Sequence, residues 1–461
     1  MTATAAPPHG KWLMVAVSLA LFCVQIDYFA VNLALPRMAV EFGCAVTDLQ
    51  WVISIYMVTL GAFMVPAGRL ADIFGRKRAL MAGIGLFGLA SLMCAIAPSI
   101  ATLVAARGVQ GVGAALIFPA SVSVISNAFP PEGSGRMIGL AYGIAGLGNA
   151  AGPLIGGLLT QTVGWRWIFA LNIPLTIGCA VIGAFAVAES RDPDAPRRID
   201  VAGFALLTAG IGVFTLAVDR APDRGWWSAG TLGALAAAVA LFGLFVAVER
   251  RVRWPLVDLS LARNARFSIL VAAGTIANVA YGVTIFVSTV YLQDARGLDP
   301  LTAGLVFLGP SAGAAVGGVL SGRLAGSQPV RVMGVTTLLA AVSLALLAAS
   351  RGWAWYLPAL TACGFTLGLV YAFTTVATQA VVGPQRAGEA AGIALTAMIT
   401  MGGVGVAMAG TLLERFRTDG ISTAGGVDVI LAALAVALLP AGLLVLSLRP
   451  AGYCRGSRRA G

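Results

Sequence analysis

Charge is scarce in this 461-residue chain. Asp, Glu, Lys and Arg together make up 11% of it, less than half of the roughly 25% usual in soluble domains. With 59% hydrophobic residues and a mean hydropathy of +0.90, that shortage excludes water as the solvent for most of the surface. Histidine is nearly missing, with His9 alone, and the six cysteines (Cys23, Cys44, Cys94, Cys179, Cys363, Cys454) include no CxxC pair. A disulfide framework and a metal site of the Cys/His type are thereby excluded. No Ser/His/Asp set, nucleotide-binding loop or glycine-rich phosphate cradle is present, so hydrolysis and ATP-driven work lack their residues and an enzyme is not expected. Nor are there alternating ten-residue segments of the kind that build a closed membrane barrel. The longest polar loop is about 18 residues, too short for a signalling domain.

What is present is a series of apolar runs near 20 residues long, which at 1.5 Å per residue match the ~30 Å hydrocarbon core of a bilayer. The pattern predicts fourteen helices at about 12–36, 49–71, 79–97, 101–127, 135–161, 166–188, 200–218, 226–248, 267–292, 300–324, 330–349, 353–382, 388–413 and 427–448. The first run follows Lys11 but contains Asp27 and ends at Pro36 without a small-residue cleavage site, so it is a retained helix rather than a signal peptide.

The formal charge of +11 reflects topology rather than a nucleic-acid partner, because the bases concentrate in short loops. Loops on the side of the termini hold Arg76, Lys77 and Arg78, then Arg191, Arg197 and Arg198, then Arg250, Arg251, Arg253, Arg263 and Arg266, and finally Arg455, Arg458 and Arg459. On the other side bases are few and offset by acids, as in Asp219, Arg220, Asp223 and Arg224. An even helix count with this bias places both termini in the cytoplasm and the chain in the inner membrane.

A repeat is visible between Gly68-Arg69-Leu70-Ala71 and Gly322-Arg323-Leu324-Ala325, each closing a helix that follows an interfacial turn (Thr47-Asp48-Leu49 and Asp299-Pro300-Leu301). The spacing equals eight helices. The expected ground plan is an N-terminal six-helix bundle at 1–190, a two-helix insertion with linkers at 191–265, a C-terminal six-helix bundle at 266–450 and a cytoplasmic tail at 451–461. Duplicated halves are common in transporters, with the substrate site between them near the midplane.

Four segments carry chemistry. In Gly68-Arg69-Leu70-Ala71-Asp72-Ile73-Phe74-Gly75-Arg76-Lys77-Arg78, Gly68 permits close helix approach and Gly75 a tight turn. Asp72 lies at a helix C-terminus, where its own dipole disfavours it, so it should face a cation or another helix's N-terminus. Asp27 is the one acid deep inside a predicted helix, a costly position unless it is paired, hydrated or protonated. Gln25, Tyr28 and Asn32 form a polar stripe at helical spacing beside it, suited to a water-filled cavity. On helix four, Arg107, Gln110, Gly111 and Ala114 share one face. Arg107 is either Asp27's fixed partner, leaving a structural carboxylate, or an interfacial anchor, or an inward-facing base with Gln110 in a cavity. Helix five repeats Gly148, Gly152 and Gly156 every four residues, a smooth packing face, with Pro153 bending the helix.

These strings resemble the major facilitator superfamily, and within it the fourteen-helix drug:proton antiporter branch. The loop after helix two is similar to the family's loop signature, and the run Asp27 to Pro36 to the branch's first-helix signature, with Phe29 where relatives usually carry threonine. Arg107 to Ala115 resembles the fourth-helix motif, Gly143 to Gly157 the antiporter signature, and Trp165 to Pro174 and Pro255 to Leu261 further segments typical of the branch. The second copy of the loop signature lacks the acid.

The resemblance implies an all-α membrane protein with the major facilitator fold of fourteen helices. It implies Asp27 and Arg107 in proton coupling and the start of helix thirteen, near Gly388, beside Asp72. The expected activity is proton-coupled efflux of small amphiphilic drugs or antibiotics by a monomer in the lipid bilayer. The proton gradient would be the energy source, with no cofactor, metal or nucleic acid involved. Export of an endogenous antibiotic, amino acid or lipid-like molecule is the alternative within the same class, and a non-transporting membrane receptor the alternative outside it.

Overall fold

Within hydrocarbon, backbone N–H and C=O groups must find partners inside the protein, which leaves a mostly apolar chain the choice of helices. The computed structural model describes residues 10–32, 34–44, 49–191, 200–253, 255, 259–298, 300–324, 328–350, 352–382 and 386–448. His9, Thr47, Asp48, Arg197, Arg198, Leu256 to Asp258, Asp299, Ala325, Gly326, Cys454 and the basic tail lie outside the described residues, as do the side chains of Asn32, Pro153, Asp219, Asp223 and Arg323 and the surroundings of Gly388.

Among the described residues fourteen helices are long and apolar enough to cross a membrane. They are α1 (Gly10–Asn32), α2 (Gln50–Phe74), α3 (Arg76–Ala95), α4 (Ile100–Ala128), α5 (Pro131–Thr162), α6 (Arg166–Ala186), α7 (Val201–Arg224), α8 (Ala229–Glu249), α9 (Ala265–Val290), α10 (Leu308–Leu324, the main part of a span that begins at Thr302), α11 (Pro329–Ala349), α12 (Trp353–Val382), α13 (Ala387–Thr418) and α14 (Thr423–Ser447). Polar caps start several of them: Ser99 with Thr102 forms a capping box on α4, while Asp200, Ser228, Asn264 and Ser422 accept the first free N–H groups of α7, α8, α9 and α14.

Two predicted helices are broken. Instead of running to residue 36, α1 stops at Asn32, and a short helix, Leu35–Phe42, restarts with proline in its first turn and ends at Gly43 in the left-handed region (φ 64°). The segment expected as one helix from 300 to 324 is a short helix, Pro300–Val306, followed by α10. Pro310 has no N–H to give the Val306 carbonyl, which is where the ladder fails.

The packing repeats with the helix offset seen in the sequence. In the first half α1 packs on α5 and α6, α2 on α4, and α3 on α4 and α6; eight helices on, α9 packs on α13 and α14, α10 on α12, and α11 on α12 and α14. The two sets meet along two seams, α5 against α10 and α2 against α13. Helices α7 and α8 pair with each other, and α7 lies against both α2 and α13, sealed by Leu207, Ile211 and Phe245 on Ala62 and Val65.

The glycine face of α5 lies on α1. A Cβ on Gly148, Gly152 or Gly156 would stand 2.8 Å from the Phe22 carbonyl oxygen, 2.6 Å from Phe29 Cβ and 2.5 Å from the Ala30 carbonyl oxygen. At the end of α2, buried Asp72 accepts hydrogen bonds from Arg76, 3.0 Å from Nε, which supplies the cation its position demands. Gly68 is buried one turn before it. Gly75 has φ 120°, and its missing side chain leaves room for the Glu189 carboxylate, 2.5 Å from where a Cβ would sit. Glu189 accepts from the Lys77 backbone N–H at 3.1 Å and pairs with exposed Arg78 at 3.6 Å, and the Arg76 N–H reaches the Ser190 carbonyl at 2.8 Å. The chain leaving α6 therefore straps the loop between α2 and α3.

At the opposite end Glu41 is held by Arg166 and by the Trp165 indole N–H at 2.7 Å. Partial burial works against its charge, but the hydrogen bonds from Arg166 and Trp165 outweigh it and hold the carboxyl below the usual range. A depressed pKa adds stability above the unfolded value, about 4.3, and that contribution disappears as pH falls through the folded value. Glu41→Gln should accordingly flatten the acid limb of a melting-temperature-versus-pH curve measured below pH 5, costing under about 1 kcal/mol at neutral pH because the pair is half exposed. Gly156→Val should cost more, on the order of 1–3 kcal/mol, because backbone rather than a flexible side chain faces the new atoms; thermal unfolding in detergent measures it.

Candidate functional site

The deepest polar cluster is built by α1, α4 and α6. Asp27 and Arg107 are both wholly buried, with Arg107 Nη1 2.5 Å from Asp27 Oδ2. Asp27 Oδ1 accepts from Gln110 Nε2 at 3.0 Å and from Asn172 Nδ2 at 2.8 Å. Arg107 also donates to Gln110 Oε1 at 2.6 Å and to the Val52 carbonyl at 2.9 Å, and Gln110 Nε2 reaches Ser91 Oγ at 2.8 Å. The guanidinium lies over the Tyr56 ring, 4.2 Å from its centre. Such a pair is tolerable in a low-dielectric interior only because its remaining lone pairs and protons are so largely occupied. Arg107 is not an interfacial anchor.

On the other side of Tyr56 lies a cavity of about 600 Å³ between the two halves. Gln25 and Tyr28 of α1 line it, with Tyr56 of α2, Asn149 of α5, Asn278 and Tyr281 of α9, Tyr371 of α12 and Thr400 of α13; Thr215 and Val218 of α7 complete the wall. Its lining comes from the middle of the helices and from their half away from the termini. Toward the termini the halves close. Tyr142 and Tyr371 meet edge to face with centroids 5.4 Å apart, and deeper still Ser126 of α4 donates to Gln379 of α12 at 3.0 Å.

The sequence-derived candidates thus fall into four places. Gln25 and Tyr28 line the cavity, whereas Gln110, expected there, turns into the Asp27 cluster because it shares the Arg107 face of α4. Asp27 itself is absent from the cavity wall. Asp72, Gly75, Arg76 and Arg78 sit in the strapped loop, and Gly148, Gly152 and Gly156 on α1. Sequence reasoning missed Asn172, Ser91, Tyr56, Asn149, Asn278, Tyr281 and Glu189. The signal was available for the amides, since a polar side chain inside an apolar span needs a partner; for Tyr56 there was none, as aromatic residues are ordinary in such helices.

Fold and cavity together define a polytopic membrane transporter, a bundle of two related halves around a central site. The Major Facilitator Superfamily model matches residues 17–410, and the chain belongs to that family; it is a transporter and not an enzyme. It is 35% identical over 410 residues to the multidrug resistance protein Stp of Mycobacterium tuberculosis (87% of this chain, 76% of the relative). It is 31% identical to the tetracenomycin C resistance and export protein of Streptomyces glaucescens (87% and 75%) and 33% identical to the puromycin resistance protein pur8 of Streptomyces alboniger (88% and 82%). Among solved structures the human organic anion transporter MFSD10 (TETRAN) shares the fold, with a TM-score of 0.69 at 14% identity, covering 95% of this chain and 100% of that one.

Breaking the ion pair from one side leaves a lone buried charge. Arg107→Gln should lower stability by about 3–5 kcal/mol, while Asp27→Asn combined with Arg107→Gln, which removes both charges, should recover most of that loss. Melting temperatures of the parent, both single variants and the double variant in detergent form the cycle that checks it.

Proposed function

We propose that the protein exports small amphiphilic drugs or antibiotics across the cytoplasmic membrane in exchange for protons, by alternating access. The observation that carries the reading is the Asp27–Arg107 pair buried one aromatic ring away from the central cavity. The curated relatives support the cargo, being multidrug or antibiotic resistance proteins. Because two of these relatives, named for a single antibiotic, come from Streptomyces, export of an endogenous antibiotic through the same machinery is the second reading.

Direct competition of proton and substrate for one carboxylate requires Asp27 in the cavity wall, and it is not there. An indirect coupling fits the geometry. Protonation of Asp27 removes the counter-charge of Arg107; the guanidinium, stacked on Tyr56, then loses its main reason to stay, and Tyr56 is both its π-partner and a wall of the cavity. Proton and substrate are linked through stacked rings: Arg107 lies over Tyr56, and Tyr28, which lines the cavity, stacks on Tyr56. The proton gradient is the sole energy source, Asp27 and Arg107 are the coupling pair, and a monomer suffices since the cavity is complete within one chain.

In this reading both termini lie in the cytoplasm, and residues 1–190 and 266–450 are the two units that rock, with 191–265 the insertion and 451–461 a tail. The cavity then faces outward, the Ser126–Gln379 bridge is the cytoplasmic closure that must open, and the strapped loop with Asp72, Arg76 and Glu189 holds that closure.

In proteoliposomes with an imposed pH gradient, Asp27→Asn should abolish gradient-driven accumulation of a fluorescent drug while retaining its binding, and Tyr56→Leu should bind drug but lose at least about tenfold of the pH-driven component. Uptake by Asp27→Asn equal to that of the parent refutes the coupling role.

A further inference from the structure

Resting on the efflux reading, we infer that the cavity selects uncharged, hydrogen-bonding aromatic molecules and discriminates against organic cations. Among the described residues that line it there is no Asp, Glu, Lys, Arg or His. The carboxylate that would attract a cation is out of reach. Asp27 is wholly buried, its two oxygens take hydrogen bonds from Arg107, Gln110 and Asn172, and Tyr56 stands between it and the cavity. A cation entering the site would give up its hydration with no counter-charge in return, which an uncharged molecule need not do.

Aromatic faces can replace a carboxylate as cation seats, but here several are already engaged. Arg107 lies over Tyr56, so a positive charge already occupies that ring's electron-rich face. Tyr28 stacks on Tyr56 at 6.3 Å and meets Phe29 edge to face, and Tyr142 is paired with Tyr371. Tyr281, Phe118 and Phe286 also line the wall, but with no carboxylate beside them they offer a cation only the weaker attraction of a ring face.

The polar groups that remain are neutral and of both kinds. Gln25 donates to Asn149 at 2.8 Å, and Asn149 is in hydrogen-bonding reach of Tyr281, so one chain of amides and hydroxyl spans α1, α5 and α9. Asn278 donates its amide to the Met398 carbonyl at 2.8 Å, leaving its own carbonyl to accept, and the buried Thr400 hydroxyl has no partner among the described residues. The rest of the wall is largely apolar, with Leu60, Phe118, Leu367 and Ile399 beside the small residues Gly402 and Gly403, and ~600 Å³ is ample for three or four fused rings.

Two tricyclic fluorophores of nearly the same shape separate the cases: acridone, which is neutral with a carbonyl and an N–H, and 10-methylacridinium, a permanent cation. Binding of each to the purified full-length protein in detergent at pH 8 is followed by fluorescence anisotropy. Acridone should bind at least about tenfold more tightly and should weaken several-fold in Asn149→Leu and Asn278→Leu. Equal or tighter binding of the cation, or binding of neither, overturns the inference. The comparison within the parent protein stands even if a variant fails to fold. A cation preference alongside intact proton-driven transport would overturn the substrate class alone; acridone binding in a protein that moves nothing down a pH gradient would overturn the efflux reading alone.

Discussion

Two opposite charges buried side by side organise the first half of the molecule. The Asp27–Arg107 pair does not merely join α1 to α4. Arg107 also reaches the Val52 carbonyl on α2, Gln110 reaches Ser91 on α3, and Asn172 brings in α6. Five of the six helices of that half are thereby tied to one carboxylate and one guanidinium. In hydrocarbon the apolar surfaces themselves supply little preference for one neighbour over another, since lipid is as good a solvent for leucine as leucine is. What specifies the arrangement is the demand of buried polar groups for partners, together with the glycine face that lets α5 lie directly on α1. A change in the protonation of Asp27 is therefore felt by the whole half and not only by one helix.

The second half is built differently. Its interior is held by an extended apolar core running from Leu270 to Val445, and its buried hydroxyls mostly satisfy carbonyls of their own helices, as Thr336, Thr374 and Thr378 do. Repeated packing with unequal chemistry gives a cavity whose wall is lined from both sides but whose charges all lie behind one of them.

The fold was legible because its determinants are periodic and local: apolar runs of spanning length, basic loops of one parity, and a repeated helix end. The break at Pro310 was equally local and was passed over only because the hydropathy runs through it, while the first helix, expected to end at Pro36, stops at Asn32 instead. The site was legible in part. Asp27 and Arg107 stand out as charges in apolar helices, and their partnership was one of the readings open in the sequence. Which face of α1 looks into the cavity was not, because Gln25, Asp27 and Tyr28 are close neighbours in sequence. Only the position of α4 and α6 decides that Asp27 turns into the bundle while Gln25 and Tyr28 turn out of it. Glu189 was invisible for a related reason: its role depends on the end of α6 returning to a turn more than a hundred residues earlier.

The placement of α7 and α8 breaks the in-plane symmetry of the molecule. Two seams join the halves, and the inserted pair roofs one of them, where α7 lies on α2 and α13. A bundle of two equal halves would offer the surrounding lipid the same doorway front and back. Here one doorway is boarded over by a helix that also contributes Thr215 and Val218 to the cavity wall, so the α5–α10 seam is the flank on which solutes dissolved in the membrane meet the junction of the halves directly.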